Sequence, residues 1–395
     1  MKSFSHSWVV AAVFGLLAGT AAETVGAGQN RADSAKSGSS ENGPVDPLAK
    51  MVDEAIDIST RRYLTGNVHT PWQIMHGLLA LRQEYRIKQD GERVKAIDWI
   101  SQGALFRGEP WFQKTRYGGR AHPYSTDYAF EGHPNQFLAI LAIAEVPKEH
   151  TIITAQGETI TIADMVRHAQ MEVSSREEIT WTLWALSHYL EPNTRWQNKY
   201  GEQWSIEQLV QMQTQEPVEN AACGGSHGLF SLTYARNTYL KTDRPLRGVW
   251  LEADQKIQRY IREARAYQNS DGTFSTDYFS GSGHSYQFET RLNTSGHTLE
   301  FLTLALPKER LKDQWIRRAV HAISKDLIDH RRSPAECGSL YHAMDGLVIY
   351  RQRTRPKSQP VPIVAEGHST EGKTPEISEK DGARSSGADG RSDDN

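Results

Sequence analysis

The sequence predicts an all-α protein whose helices close into an (α/α)6 toroid. Three observations predict it. Helix-period patterns dominate the middle of the chain, amphipathic and richly apolar helical segments alternate there, and a polar-aromatic motif recurs along it.

The segments come in a strict order. The first amphipathic stripe is Leu48, Met51, Val52 and Ala55, spaced i, i+3, i+4 and i+7. Similar stretches follow near Val94–Ile100, Ile162–Met171, Ile206–Met212, Val249–Tyr267 and Leu311–Leu327. Between them lie more apolar runs: Trp72–Leu81, Phe137–Ala144, Trp181–Leu190, Leu229–Leu240, Leu299–Leu306 and Met344–Tyr350. Amphipathic segments suit outer helices and apolar segments inner ones. Closure of six such pairs removes the exposed end faces that an open helical-repeat rod would have to cap. No β-alternating run competes, although Thr151–Ile162 suits a short hairpin around Gly157.

The repeated motif is Ser125-Thr126-Asp127-Tyr128 before Gly132-His133 and Gln136-Phe137. It returns as Ser275-Thr276-Asp277-Tyr278 before Gly283-His284 and Gln287-Phe288, with a partial copy at Gly296-His297.

The ends of the chain read differently. Lys2 followed by the apolar run Trp8–Ala22, closing on small residues, has the pattern of a signal peptide over residues 1–22. The run is short for a membrane span, so the expectation is an exported protein, periplasmic or secreted, without a transmembrane segment. Residues 23–44 and 354–395 are rich in small and polar residues, which places a linker and a tail either side of a folded unit at 45–353. Across 395 residues, 45 Lys+Arg against 48 Asp+Glu leave a net charge of −3, with no electrostatic footprint for nucleic acid. Ten Trp supply bulk for a large core, and two Cys exclude a disulfide framework or a four-Cys iron–sulfur cluster.

Gln268-Asn269-Ser270-Asp271-Gly272-Thr273-Phe274 resembles the Gln…Gly…aromatic repeat of terpenoid cyclases and protein prenyltransferase β-subunits. Tyr341-His342 leading into Gly346-Leu347, and Cys223-Gly224-Gly225-Ser226-His227-Gly228-Leu229, resemble inner-helix starts of the same superfamily. The resemblance implies the toroid more than any reaction. The acidic DxDD motif of squalene cyclases and the metal-binding DDxxD motif are missing. Prenyltransferases hold zinc with an Asp, a Cys and a His; the matching positions here would be Cys223 and His342, with no Asp beside the Cys.

Parallel inner helices bring their N-termini to one mouth of the central cavity, and the sequence places His76, His133, His227, His297 and His342 near those starts. Thr70-Pro71 reads as N-cap and N1, with His76 in the second turn; Pro134 as N1 would make His133 a cap. His227, His342, His297 and His133 are candidate acid–base or metal-binding residues, or else helix caps. Cys223 and Cys337 precede two of these helices and are candidates for a disulfide, for a zinc site completed by His342 or His227, or for two separate thiols. Asp127 and Asp277 occupy matching places in the duplicated motif, as a carboxylate pair for glycan chemistry or as turn formers. Helix N-termini there favour an anion, and Gly224-Gly225 permits close backbone approach to a ligand.

Two classes of function fit. One is an exported enzyme — hydrolase, lyase or transferase — working in the cavity by acid–base or zinc chemistry. The other is a non-catalytic toroid that binds a small molecule, peptide, glycan or lipid.

Overall fold

The computed structural model describes residues 46–122, 128–219 and 221–355. The described chain is mostly helical. Its helices are α1 (Pro47–Thr60), α2 (Pro71–Leu81), α3 (Ala96–Ile100), α4 (Gln136–Ile143), α5 (Ile162–Glu172), α6 (Thr180–Tyr189), α7 (Ile206–Gln215), α8 (Ser226–Leu240), α9 (Val249–Ala266), α10 (Phe288–Ala305), α11 (Gln314–Asp329) and α12 (Cys337–Thr354). Every segment expected to be helical contains one of them. The signal-peptide, linker and most of the tail assignments lie outside the described residues. Among those residues no helix is long and apolar enough to cross a membrane.

The difference from expectation lies in the connections. Five antiparallel hairpins pair β1 (Arg86–Gln89) with β2 (Glu92–Lys95), β3 (Leu105–Phe106) with β4 (Glu109–Pro110), β5 (Phe112–Thr115) with β6 (Gly118–Ala121), β7 (Thr151–Ile153) with β8 (Thr159–Thr161), and β9 (Arg195–Gln197) with β10 (Gln203–Ser205). The β7–β8 hairpin was expected; the other four were not. Their strands are too short to alternate visibly. Asp90-Gly91 and Arg107-Gly108 turn two of them with positive φ at both residues, as two-residue hairpins require. β2, β8 and β10 run directly into α3, α5 and α7, so three odd helices start from the end of a hairpin. Thr161 and Ser205, the last residues of two of these strands, cap the following helix through their side-chain oxygens.

Burial separates the two kinds of helix. On α9 the buried residues are Trp250, Ala253, Ile257, Tyr260, Ile261 and Ala264, one stripe facing the core. On α4 every residue is buried, and on α12 every residue from Cys337 to Tyr350. The even helices pack in order: α2 on α4, α4 on α6, α6 on α8, α8 on α10, α10 on α12, and α12 back on α2. The odd helices pack against them, α1 and α11 on α12, α5 and α7 on α6, and α9 on α8.

α10 and α12 make the closest of these contacts through glycine. A Cβ on Gly296 would stand 2.9 Å from the backbone of Ala343, and one on Gly346 would stand 3.0 Å from Glu300 N. Neither position has room for a side chain. Gly296→Ala should therefore cost about 1–3 kcal/mol by overpacking, read as a lower denaturant midpoint. Gly281→Ala, whose Cβ meets nothing within 4 Å, should leave the midpoint in place. Equal midpoints for the two variants would show that α10 and α12 are not locked together here.

Candidate functional site: a buried histidine cluster

The site is built on four even helices. Thr70 caps α2 with a reciprocal bond from Gln73, as the sequence suggests, and puts His76 in the second turn. His227 is the second residue of α8, His297 lies in the middle of α10, and His342 is in the second turn of α12. α10 begins well before its apolar segment, so His297 is deeper than a mouth residue. All four are buried, His227 the least so at 7% exposure. Their ring centroids lie 5.4 Å apart for His76–His342, 4.9 Å for His227–His342, 5.0 Å for His227–His297 and 4.0 Å for His297–His342.

Each ring but one has a partner for Nδ1. His76 Nδ1 lies 2.7 Å from Trp72 O, His297 Nδ1 lies 2.8 Å from Asn293 O, and His342 Nδ1 lies 2.9 Å from Glu300 Oε2. Donation from Nδ1 leaves Nε2 as a lone-pair donor, the pattern seen in metal-binding histidines. His227 has no hydrogen-bond partner at either ring nitrogen, and both nitrogens are buried. Its ring lies 5.0 Å from Trp181 and 6.2 Å from His133.

Cys223 completes the set. It sits at φ 51 in a short turn before α8, with Gly224 and Gly225 also at positive φ. A Cβ on Gly224 would fall 2.2 Å from the Tyr278 ring and one on Gly225 2.5 Å from Val218. These glycines thus admit neighbouring parts of the chain, not a ligand as the sequence suggested. The turn brings the Cys223 thiol to the histidines. The ligand atoms of Cys223, His227 and His297 all lie within 4.8 Å of one another, and the three could hold a metal ion. Zn–N bonds of about 2.0–2.1 Å put the centroids of two imidazoles on one tetrahedral ion about 5 Å apart, which is the His227–His297 spacing.

Electrostatics keep these rings neutral. Burial pushes His76 and His342 down to about 3, His76 also feeling His342. Burial first, then His342, holds His227 and His297 well below the usual imidazole range. Burial pushes the Cys223 thiol up to about 12, with Glu336 adding to it. Neutral imidazole is the ligand form, and a bound metal reverses the logic for the thiol.

The other sequence candidates are distributed differently. Cys337 is the first residue of α12 and stands beside Tyr85 and Tyr341, whose hydroxyls are 3.1 Å apart. Cys223 and Cys337 form no disulfide, and the group of converging metal ligands does not include Cys337. The expected Cys223–Cys337 disulfide is thus absent, and the thiol that joins the converging histidines is Cys223. His133 does not cap α4: Asn135, in the left-handed conformation, is the N-cap. His133 instead bonds Glu178 at 2.6 Å beside Trp181. Asp277 is exposed, and its amide is held by Ser275 Oγ in a turn. Asp127 lies outside the described residues. The α12 N-terminus, expected to attract an anion, already holds Glu336, which accepts from Gly338 N and Ser339 N.

The sequence reading missed Glu300, Asp345 and Arg82. Glu300 bonds His342 and meets the Asp345 carboxyl, and Arg82 Nη2 pairs with Asp345 Oδ1 at 2.6 Å. Burial pushes Glu300 up to about 8 and Asp345 well above the carboxylate range. A Glu and an Asp inside otherwise apolar helical runs were the available signal.

The chain matches no family model, no curated protein and no solved structure.

Stability should depend on pH on two sides. His76 and His342 fall from 6.5 to about 3 on folding, so their contribution is intact above 6.5 and is lost as the pH drops toward 3. Glu131 and Glu300 rise from 4.5 to about 8, so theirs is intact below 4.5 and is lost as the pH climbs toward 8. The melting temperature of metal-free protein should peak between these limbs, and Glu131→Gln should flatten the alkaline one. A melting temperature constant from acid to mildly alkaline pH would contradict the buried-neutral assignment.

Proposed function

We propose that the chain is an exported, metal-dependent enzyme of hydrolytic type, built on a closed (α/α)6 toroid. Cys223, His227 and His297 hold zinc and leave a fourth position for water or substrate. The observation that carries this reading is His227. A buried imidazole with both nitrogens unpartnered costs about 1–3 kcal/mol per unsatisfied group, and a metal bond at one nitrogen removes part of that cost. Its neighbours offer a thiol and a second imidazole at ligand distance. Three protein ligands and an open position are the arrangement of catalytic zinc, which acidifies a bound water. His342 lies beside the converging ligand group, outside it. Closure of the toroid is supported by the return of α12 to α2 and by the burial of all of α4 and of α12 from Cys337 to Tyr350. The carboxylate route of glycan cleavage has less support, because Asp277 is exposed. The substrate is a small molecule, glycan, peptide or lipid with a bond open to attack by water.

Metal analysis of the purified chain should find one zinc per molecule. Cys223→Ser, His227→Ala and His297→Ala should each abolish its retention, while Cys337→Ser should not. In the cobalt-substituted protein, added azide should shift the visible d–d bands, because the fourth position is open. A cobalt spectrum indifferent to azide would mean a closed four-ligand site, with His342, 4.9 Å from His227, as the fourth ligand. The protein would then be a metal-stapled binding scaffold. Copper in place of zinc would overturn the zinc assignment.

A further inference from the structure

The interior beyond the four histidines holds a second run of polar side chains that metal binding does not use. His342 Nδ1 lies 2.9 Å from Glu300 Oε2, with both side chains 2% exposed. Glu300 meets Asp345, whose side chain is fully buried, and Asp345 pairs at 2.6 Å with Arg82, 19% exposed at the C-terminal end of α2. The chain of contacts therefore leads from the histidine cluster, through α10 and α12, to a side chain at the end of α2 that solvent reaches.

We infer that Glu300, tied to Asp345 and Arg82, is a positioning residue that keeps the His342 proton on Nδ1 and leaves the lone pair on Nε2, at the histidine cluster. The tautomer stands on the hydrogen bond alone; the use of that lone pair rests on the metal-site reading above.

Three features support it. First, a ring that donates Nδ1–H to a carboxyl oxygen has its lone pair on Nε2, and the rest of the His342 ring is surrounded by His76, His227 and His297. Second, the placement is rigid. Gly346 lies against Glu300 N and Gly296 against Ala343, so α10 and α12 cannot slide without breaking close backbone contacts. Third, the charges balance in one way. Arg82 compensates one carboxylate, and two carboxyls that meet away from water hold a proton between them. Glu300 can share that proton with Asp345 through one oxygen while its Oε2 accepts from His342. A metal ligand would be placed differently: the nitrogens of His342 stand outside the converging set of Cys223, His227 and His297.

The test is a long-range 1H–15N spectrum of the full chain labelled at histidine, recorded near neutral pH with and without zinc. His342→Gln assigns the signals. The wild type should show His342 as the Nδ1–H tautomer in both states, with no zinc-induced ligand shift at Nε2. Glu300→Leu offers Nδ1 no acceptor, so the Nδ1–H tautomer should be lost. Zinc affinity of that variant, measured by chelator competition, should stay clear of the loss of about 10–100-fold that follows removal of a ligand's outer partner. An Nε2–H tautomer in the wild type overturns the inference, as does a tautomer unmoved by Glu300→Leu. A zinc-induced ligand shift at His342, or a loss of affinity in that range, makes His342 a ligand and equally overturns it. If the chain takes up no zinc, the metal reading fails, and the zinc-free spectrum still decides the tautomer. If Glu300→Leu does not fold, the wild-type spectra still decide it.

Discussion

Desolvation governs this structure. Polar groups placed inside a helical core must find partners or become neutral, because water is not there to solvate them. The even helices carry an unusual load of such groups: His76, His227, His297, Glu300, His342 and Asp345 are all buried. The histidines respond by staying neutral, the carboxyls by holding protons, and Arg82 by pairing with Asp345. Each response narrows the chemistry left to the group. Neutral rings with Nδ1 occupied can offer only Nε2, as in His76, His297 and His342.

The backbone around the cluster is correspondingly tight. Cys223 takes a left-handed conformation that a residue with a Cβ adopts at a cost. The glycines after it are filled by Tyr278 and Val218, which hold that turn in place. Gly296 and Gly346 play the same part between α10 and α12. Strain at Cys223 and absent side chains at four glycines have one result in common, that a thiol and imidazoles from separate elements stand within 4.8 Å of one another.

Much of the fold was legible in the sequence, and the reasons are physical. Alternation between one-sided and all-round apolar patterns survives in any reading of the chain, because odd helices such as α9 face water on one side while α4 and most of α12 do not. The Thr70-Pro71 start of α2 was legible because capping is local chemistry. Four hairpins were not, since strands of two to four residues carry no readable period; Asp90-Gly91 was the one clear turn signal, and it was overlooked. The candidate site was legible as a set of histidines and a cysteine before α8. Its arrangement was not. Whether Cys337 or Cys223 meets the histidines depends on the left-handed turn at Cys223 and on the tyrosines around Cys337, both products of tertiary packing. Glu300 and Asp345 escaped because an acid in an apolar run reads as an interruption until its partner on another helix is known.

The duplicated Ser-Thr-Asp-Tyr motif shows how repetition can mislead about chemistry. Its aspartates drew attention as a carboxylate pair, yet the described copy leaves Asp277 exposed in a turn. The tyrosines are what the two copies share in the fold. Tyr128 and Tyr278 both lie at positive φ, and each ring occupies the space over a glycine, Gly132 and Gly224. Tyr128 packs on Trp72, which covers His76; Tyr278 packs beside Cys223, its hydroxyl buried without a hydrogen-bond partner. The repeat thus supplies two walls of the histidine cluster. In the described copy, Ser275 Oγ accepts from Asp277 N in the turn that carries Tyr278.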